Sequence, residues 1–464
     1  MNNAEKFKRL IMFMTSLVLI CALTLCYVFV WLKYYNMSSP MFSQGVFYMK
    51  GHVLLYGVYA LMFMLFSRIY KGYRIGFLKL TDIVYSQCLS LVCVNVITYF
   101  QICLIARLMF NPVPIVIMTV FQAFVICVWA LLSNKLFSRL YPPKKMVIVY
   151  GSRLAVSLVE KMCARDDRFC ICRSIKADED FEEIKRVIME YEAVIICDIP
   201  GQRRNDILKF CFANSKRTYI TPKISDIIIR GAEDMNMFDT PLLLCRNSGL
   251  NAEQAAIKRL MDITLSLIAL VILSPFMLIT AAAVKLYDRG PVFYTQDRLT
   301  VGGRIFKVYK FRSMIVDAEK NSGARLASQN DDRITPIGRL IRKIRFDELP
   351  QLINILKGDM SIVGPRPERP ELAKISEESM PEFSYRLKVK AGLTGYAQVM
   401  GKYNTTPYDK LKLDLAYIEN YSLMLDIKLI LMTIKILFVP ESTEGVKEVK
   451  TENTAEKEKE SANK

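Results

Sequence analysis

Two adjacent acidic residues, Asp347 and Glu348, stand immediately before a short run of apolar residues at helical spacing. The run predicts a helix that contains Pro350 in its first turn and ends at Gly358. A helix N-terminus keeps nearby carboxylates ionised and can also hold a phosphate. The pair therefore suits an aspartate nucleophile that attacks phosphorus, beside a glutamate that holds Mg²⁺. A solvated helix cap gives the same pattern, so the pair alone leaves both interpretations open.

A second feature is a stiff turn, Gly364-Pro-Arg-Pro367, that fixes Arg366 between two prolines. An arginine held in this way is suited to bidentate binding of a phosphate. Upstream, Lys307, Lys310 and Arg312 alternate with apolar residues and could neutralise a diphosphate. An ordinary surface turn and a solvated basic face are the alternative interpretations of these two patterns.

The composition limits the chemistry that is available. The 464 residues are 52% hydrophobic and carry a formal charge of +18, which favours lipid headgroups, nucleotide phosphates or nucleic acid as partners. The 12 cysteines lack zinc-site spacing and are expected to be free thiols. His52 is the single histidine and lies in or beside an apolar run, so carboxylates, arginines and lysines must carry the chemistry. Any metal is then a hard cation held by oxygen, such as Mg²⁺.

Four apolar runs occupy Leu10–Leu32, Val46–Phe66, Ile83–Ala106 and Val113–Phe137. Each is close to the ~20 residues that cross a bilayer as a helix. Basic residues mark alternate ends of these runs, which predicts that both ends of the bundle face the cytoplasm. We therefore predict a four-helix transmembrane bundle over residues 1–140.

Short β-rich runs that begin at Met146, Ala193 and Arg217 alternate with helical patterns. This alternation predicts a Rossmann-like α/β domain over residues 146–246. Arg153 stands where the dinucleotide fingerprint needs a glycine, so a structural or regulatory domain is the favoured interpretation.

A fifth apolar run, Ile263–Val284, contains Ser274-Pro275 near its middle. Basic residues flank both ends, with Lys258-Arg259 before the run and Lys285 after it. The positive-inside rule then favours a re-entrant helix, residues 259–286, over a straight span that would place the rest of the chain outside the cell. The remainder of the 254–440 region is predicted to be an α-rich α+β cytoplasmic catalytic domain, and residues 441–464 a disordered tail.

These features together resemble the bacterial sugar transferase family, the polyprenyl-phosphate hexose-1-phosphate transferases of the large monotopic type. The resemblance covers essentially the whole chain and is most specific at Asp347-Glu-Leu-Pro-Gln-Leu352 and Gly364-Pro-Arg-Pro367. It implies that Asp347 is the nucleophile, that Glu348 is its partner associated with Mg²⁺, and that Arg366 binds phosphate.

The resemblance also implies roles for residues outside these two motifs. It implies substrate-binding roles for Gln296, Arg298, Lys310, Arg312 and Gln398, and membrane-anchoring roles for Lys258, Arg259, Asp262, Ser274 and Pro275. Three departures from the family pattern occur: Thr300 stands where a glycine is usual, Ala391 replaces a common proline, and Ile344-Arg-Phe346 precedes Asp347 where Ser-Leu is usual.

The implied reaction transfers a sugar 1-phosphate from a UDP-sugar to undecaprenyl phosphate through a covalent aspartyl-phosphosugar, with release of UMP. It would be the first membrane step of exopolysaccharide, capsule or O-antigen synthesis in the bacterial inner membrane. Membrane lipid is a further expected partner, nucleic acid is not, and a homodimer is left open. The competing hypothesis is an inactive membrane scaffold or sensor, against which the intact Asp-Glu pair argues.

Overall fold

The computed structural model divides into two units, residues 1–221 and 222–464. It describes residues 7–36, 49–151, 154–163, 165, 167–237, 239–245, 249–315, 333–401 and 405–437. The predicted tail, residues 441–464, lies outside the described residues.

Four long helices open the first unit, and each is long and apolar enough to cross a bilayer. This confirms the predicted apolar helices and identifies the chain as a membrane protein. The first continues into a π-helical turn, Trp31–Tyr35. The helices are α1 (Lys8–Val30), α2 (Met49–Ile69), α3 (Leu80–Ala106) and α4 (Val113–Leu140).

A buried polar network touches all four helices. Gln122 of α4 donates from Nε2 to the Tyr59 hydroxyl of α2 at 2.9 Å and to the Leu23 carbonyl of α1 at 2.9 Å. Asn95 of α3 donates to Gln122 at 3.0 Å and accepts from Tyr59 at 2.9 Å. Since an unpaired polar group is costly in an apolar interior, this network favours one relative rotation of the four helices.

The rest of the first unit is an α/β domain built on a parallel sheet with the strand order β2-β1-β3-β4. Its elements are β1 (Lys144–Tyr150), α5 (Leu154–Cys163), β2 (Phe169–Lys176), α6 (Phe181–Glu190), β3 (Ala193–Cys197), α7 (Gly201–Ala213) and β4 (Arg217–Ile220). The predicted alternation of strands and helices is confirmed, and β2 is a strand that the sequence patterns did not reveal. The predicted limits 146–246 include residues of both units and stay a prediction.

The second unit combines one long apolar helix with short strands and helices. Its elements are α8 (Ile224–Arg230), β5 (Glu233–Met237), β6 (Thr240–Leu244), α9 (Ala252–Asp288), β7 (Phe293–Leu299), β8 (Ile305–Phe311), α10 (Pro336–Lys343), α11 (Gln351–Lys357), β9 (Ser361–Val363), α12 (Pro370–Ser379), β10 (Gly392–Thr394), α13 (Tyr396–Met400), α14 (Pro407–Glu419) and α15 (Leu423–Leu437). Strands β7 and β8 pair in antiparallel, and β9 and β10 pair in parallel.

The long helix α9 stays helical through Pro275, where the sequence predicts a break. Proline lacks an N–H, so it leaves the carbonyl of Val271, four residues earlier, without its helical donor. The hydroxyl of Ser274 donates to this carbonyl at 2.9 Å. The Ser-Pro pair thus satisfies the backbone group that the proline frees, and the re-entrant path of α9 stays a prediction.

Candidate active site

The acidic pair lies in a tight 3₁₀ turn, Phe346–Glu348, just ahead of α11. Arg345, which precedes the turn, adopts a left-handed conformation with φ of 56°. Helix α11 ends at Gly358, which has φ of 92°, a value that glycine adopts without strain. The helix predicted after the acidic pair is therefore confirmed.

Helix α11 is fixed to strand β8 by the side chain of Asn354. Its amide nitrogen donates to the Lys307 carbonyl at 2.8 Å, and its amide oxygen accepts from the Tyr309 N–H at 3.0 Å. The side chain therefore continues the hydrogen bonding of the strand edge. Lys310 is the residue of β8 that follows Tyr309. The attachment of α11 to this strand therefore brings the ammonium group of Lys310 to the acidic turn.

Glu348 is the centre of an ion cluster that joins three separate segments. Its Oε1 lies 3.2 Å from Lys310 Nζ and 3.1 Å from Arg366 Nη2, and its Oε2 lies 3.8 Å from Arg345 Nη1. The side chain is 12% exposed. Burial alone would raise the pKa of Glu348, but the three cations outweigh burial and hold the pKa well below its ordinary value. Glu348 is therefore a fixed negative charge.

Asp347 has a different environment from its neighbour. Within the described part of the chain, its half-buried carboxylate has no hydrogen-bond or ion-pair partner. Burial, and then the negative charge of Glu348, raise the pKa of Asp347 to about 6, although Lys310 and Arg366 act in the opposite direction. At neutral pH the carboxylate is largely ionised, while its lone pairs are not committed to a protein donor. This is the state that nucleophilic attack requires.

The turn that carries Arg366 leaves the end of β9. The Gly364 N–H donates to the Thr394 carbonyl of β10 at 2.9 Å. A Cβ atom on Gly392 would lie 2.1 Å from the nitrogen of Gly364, so this close approach of two backbones requires glycine. The Arg366 side chain is 44% exposed, and the charge of Glu348 raises its pKa above the ordinary value. Its remaining N–H groups can bind an anion.

Lys310, Glu348 and Arg366 line a cleft that Arg298 of β7 also lines, and Gln296 contacts this arginine. Arg298 donates to the Gln296 side chain at 2.6 Å and to the Pro367 carbonyl at 3.0 Å, and burial lowers the pKa of Arg298. Gln398 contacts a residue of the cleft. Its side-chain amide nitrogen lies 3.4 Å from the carbonyl oxygen of Leu393, and Leu393 lines the cleft. The lining residues are Arg298, Val308, Lys310, Glu348, Gln351, Arg366, Pro367, Gly392 and Leu393.

Among the described residues, Arg312 is not one that lines the cleft. It is buried, and its guanidinium packs on Gly290, where an added Cβ would lie 2.0 Å from Nη1. Strand β8 ends at Phe311, so the alternation that the sequence predicts for Lys307, Lys310 and Arg312 does not extend to Arg312. His52 belongs to the helical region, where its Nδ1 accepts from Trp31 at 2.9 Å.

Three residues near the start of α9 connect this helix to the segments that form the cleft. Arg259 donates to two carbonyls in the last turn of α11, at 2.6 and 2.7 Å. Asp262 accepts from the Ile362 N–H of β9 at 3.0 Å. Lys258 pairs with buried Asp426 at 2.5 Å. Their role as membrane anchors stays a prediction, but their contacts fix α9 to the elements on either side of the site.

Thr300 and Ala391, two of the departures from the family pattern, contact each other. The Thr300 hydroxyl donates to the Asp359 carbonyl at 2.8 Å and accepts from the Ala391 N–H at 3.3 Å. A glycine at position 300 would lack this hydroxyl, and a proline at position 391 would lack this N–H. The threonine thus supplies the acceptor for a buried donor that exists only because the proline is absent.

Comparison with known proteins identifies the region around this cleft. Residues 253–440 match the family model described as bacterial sugar transferase. The chain is 44% identical over 186 residues to the UDP-N-acetylgalactosamine-undecaprenyl-phosphate N-acetylgalactosaminephosphotransferase of Aeromonas hydrophila, covering 39% of this chain and 44% of that protein. It is 39% identical over 257 residues to the UDP-glucose:undecaprenyl-phosphate glucose-1-phosphate transferase of Escherichia coli, covering 53% of each. The chain therefore spans about half the length of these two relatives.

A shorter relative is matched over nearly its whole length. This is an uncharacterized sugar transferase of Bacillus subtilis, 39% identical over 196 residues, which cover 42% of this chain and 94% of that protein. The region that matches the family model, residues 253–440, contains the acidic turn, the Arg366 turn and all of α9 except its first residue.

The raised pKa of Asp347 predicts that Asp347→Asn changes folding stability in a pH-dependent way. Because the folded-state pKa, about 6, exceeds the ordinary 3.8, the carboxyl stabilises the fold below the ordinary value. That contribution is lost as the pH rises through 6. An amide does not titrate, so the variant should exceed wild type in stability at pH 8, by up to about 3 kcal/mol. Thermal unfolding in detergent between pH 4 and 8 measures the difference, which should vanish near pH 4.

Glu348→Gln is the matched control for this experiment. It removes the neighbouring carboxylate, whose charge Lys310 and Arg366 stabilise, so the variant should be less stable than wild type at pH 8. A stability difference for Asp347→Asn that stays constant from pH 4 to 8 would contradict the described environment of Asp347.

Proposed function

Because this chain belongs to the bacterial sugar transferase family, we propose that it transfers a sugar 1-phosphate from a UDP-sugar to undecaprenyl phosphate. The names of the Aeromonas and Escherichia relatives describe this type of reaction. The observation that carries the proposal is the contrast between two adjacent carboxylates. Glu348 is held as a fixed charge by three cations, whereas Asp347 is unpaired among the described residues.

The cleft suits the diphosphate of a nucleotide sugar. Lys310 and Arg366 approach Glu348 from two segments, and Arg298 lies on the same lining. A dianionic diphosphate that enters the cleft meets these cations and the remaining N–H groups of Arg366. Their charge would also stabilise the phosphorane-like transition state, in which negative charge accumulates on the transferring group.

In the first half-reaction, a carboxylate oxygen of Asp347 attacks the phosphorus that bears the sugar. A bond forms between that oxygen and phosphorus, and the bond from phosphorus to the bridging oxygen breaks. UMP leaves with the bridging oxygen and its electron pair, and the sugar phosphate remains on Asp347 as an acyl phosphate. The raised pKa of Asp347 keeps the carboxylate more basic than an ordinary aspartate.

Mg²⁺ is a proposed cofactor of this step. Among the described residues, no group of three or more His, Cys, Asp or Glu side chains could hold a metal. The carboxylate of Glu348 nevertheless fits Mg²⁺, which proteins commonly hold with one or two carboxylates plus substrate phosphates. When bound there, Mg²⁺ would neutralise charge on the diphosphate.

In the second half-reaction, a phosphate oxygen of undecaprenyl phosphate attacks the same phosphorus. The bond to Asp347 breaks, the carboxylate is regenerated, and the lipid leaves as the sugar diphosphate. An acceptor phosphate is already ionised at neutral pH, so the protein does not have to supply a base. Transfer to this lipid would begin the assembly of an exopolysaccharide, capsule or O-antigen.

The contacts of α9 support a re-entrant path with the cleft on the cytoplasmic side of the inner membrane. A straight helix of this length would extend about 55 Å, well beyond the ~30 Å hydrocarbon core. Yet the start of α9 binds α11 through Arg259, and Val284, near its end, packs against Phe311 and Ile341 of the same unit. A helix that returns to one face of the bilayer accounts for contacts at both ends.

The proposed activity predicts that UMP is released from one UDP-sugar in the presence of undecaprenyl phosphate and Mg²⁺. Asp347→Asn should lower the rate by at least about 10³-fold, because it removes the nucleophile. The measurement is UMP release by the purified protein with a panel of UDP-sugars. Asp409→Asn, which changes a carboxylate on α14 that pairs with Lys412 at 3.7 Å, is the control that should keep the wild-type rate. Equal rates for wild type and Asp347→Asn would remove Asp347 from this role.

The proposed topology predicts the accessibility of single cysteines in a background without the native ones. Cysteines at Glu253 and Arg289, before and after the apolar part of α9, should react with an impermeant thiol reagent only from the cytoplasmic side. Leu108→Cys, between α3 and α4, should react from the periplasmic side and serves as the control. Periplasmic labelling at either end of α9 would contradict the re-entrant path.

A further inference from the structure

The turn that carries Arg366 is held through its carbonyl groups. Prolines at both sides of Arg366 remove two backbone donors, so few N–H groups of the turn remain to fix it. Instead, each of the four consecutive carbonyls from Pro365 to Glu368 accepts a hydrogen bond. The Gly392 N–H donates to the Pro365 carbonyl at 2.9 Å, and the Arg386 guanidinium donates to the Arg366 carbonyl at 2.9 Å. The Arg298 guanidinium donates to the Pro367 carbonyl at 3.0 Å, and the Leu299 N–H donates to the Glu368 carbonyl at 3.0 Å.

Arg386 contacts the carbonyl of Arg366 itself. Its guanidinium is buried, and its charge is balanced by Asp414 at 2.8 Å and by Glu368 at 3.3 Å. Asp414 belongs to α14 and is 1% exposed. Burial raises the pKa of this carboxyl to about 6, although Arg386 opposes the shift. A buried pair of this kind contributes little net stability, because desolvation offsets the attraction, so its geometry is the more informative property.

We propose that Arg386 and Asp414 are positioning residues that hold the guanidinium of Arg366 in the orientation needed to bind the diphosphate. The planar fork of Arg386 donates from Nη1 to Glu368 and from Nη2 to the Arg366 carbonyl, and Asp414 lies 2.8 Å from Nη2 as an ion-pair partner. Rotation of that carbonyl would turn the Arg366 peptide and displace its side chain. A displacement of about 1 Å can reduce a rate by about 10²-fold. This inference rests on the proposed function of Arg366.

The inference can be tested without activity, through hydrogen exchange of the full-length protein. The Leu299 and Gly392 N–H groups donate to the carbonyls at the two ends of the turn, so their exchange reports whether it is held. Asp414→Asn and Arg386→Met should accelerate exchange at both amides by about 10-fold or more. Two controls should leave these amides protected: Asp409→Asn, and Arg304→Met, which removes an exposed arginine paired with Asp359.

Activity provides the second measurement, as a double-mutant cycle with Arg366→Ala. If Arg386 acts through Arg366, Arg386→Met should lower kcat/KM for UMP release by about 10 to 100-fold in the wild-type background. It should lower the rate less than about 3-fold when Arg366 is already alanine, because the group that it positions is gone. Arg386→Lys keeps the charge but not the fork and should fall between wild type and Arg386→Met.

The outcomes separate failure of this inference from failure of the proposed function. Unchanged exchange at Leu299 and Gly392 in a folded Arg386→Met protein would overturn the positioning role. An equal loss of rate with and without Arg366 would overturn it as well, since the pair would then act on the fold alone. If wild type releases no UMP from any UDP-sugar, the proposed function fails, while the exchange experiment still decides whether the pair holds the turn.

Discussion

The carboxylate of Glu348 is the interaction on which the arrangement of the site depends. It attracts Lys310 from β8, Arg366 from the turn after β9, and Arg345 from the residue before its own turn. Three cations of like charge would repel one another in a half-buried cleft without this anion. The same negative charge contributes to the raised pKa of Asp347. One largely buried anion therefore gathers the cations that we propose bind phosphate, and it keeps the adjacent carboxylate basic.

The surrounding fold can be understood as support for this cluster. Asn354 attaches α11 to the backbone of β8, and Arg259 of the long apolar helix binds two carbonyls in the last turn of α11. The Arg366 turn is held by donors from β7, from the neighbourhood of β10, and from buried Arg386. These supports come from parts of the chain on both sides of the acidic pair. The site is thus supported by segments that extend from Arg259 to Gly392, although its chemical groups are few.

Much of this organisation is predictable from sequence because it depends on local patterns. Apolar runs predict the helices of the first unit, and the Asp-Glu pair ahead of a helix, with the proline-flanked arginine, predicts the centre of the site. Arg386, Asp414 and Asn354 have no such signal, because a buried ion pair and a side chain that completes a strand edge depend on residues distant in sequence. Arg312 illustrates the same limit, since the basic alternation gives no indication that β8 ends at Phe311. The link between Thr300 and Ala391 likewise becomes visible only when the two segments lie side by side.

The central claim is that the unpaired carboxylate of Asp347 receives the phosphosugar. The most direct measurement is mass spectrometry of the protein after incubation with the UDP-sugar and Mg²⁺ in the absence of undecaprenyl phosphate, with rapid quenching in acid. The account predicts that the peptide containing Asp347 gains the mass of one phosphosugar, and that the added mass disappears when undecaprenyl phosphate is supplied. Release of UMP and formation of the lipid product without any adduct on this peptide would contradict it, because transfer would then proceed directly between the two substrates.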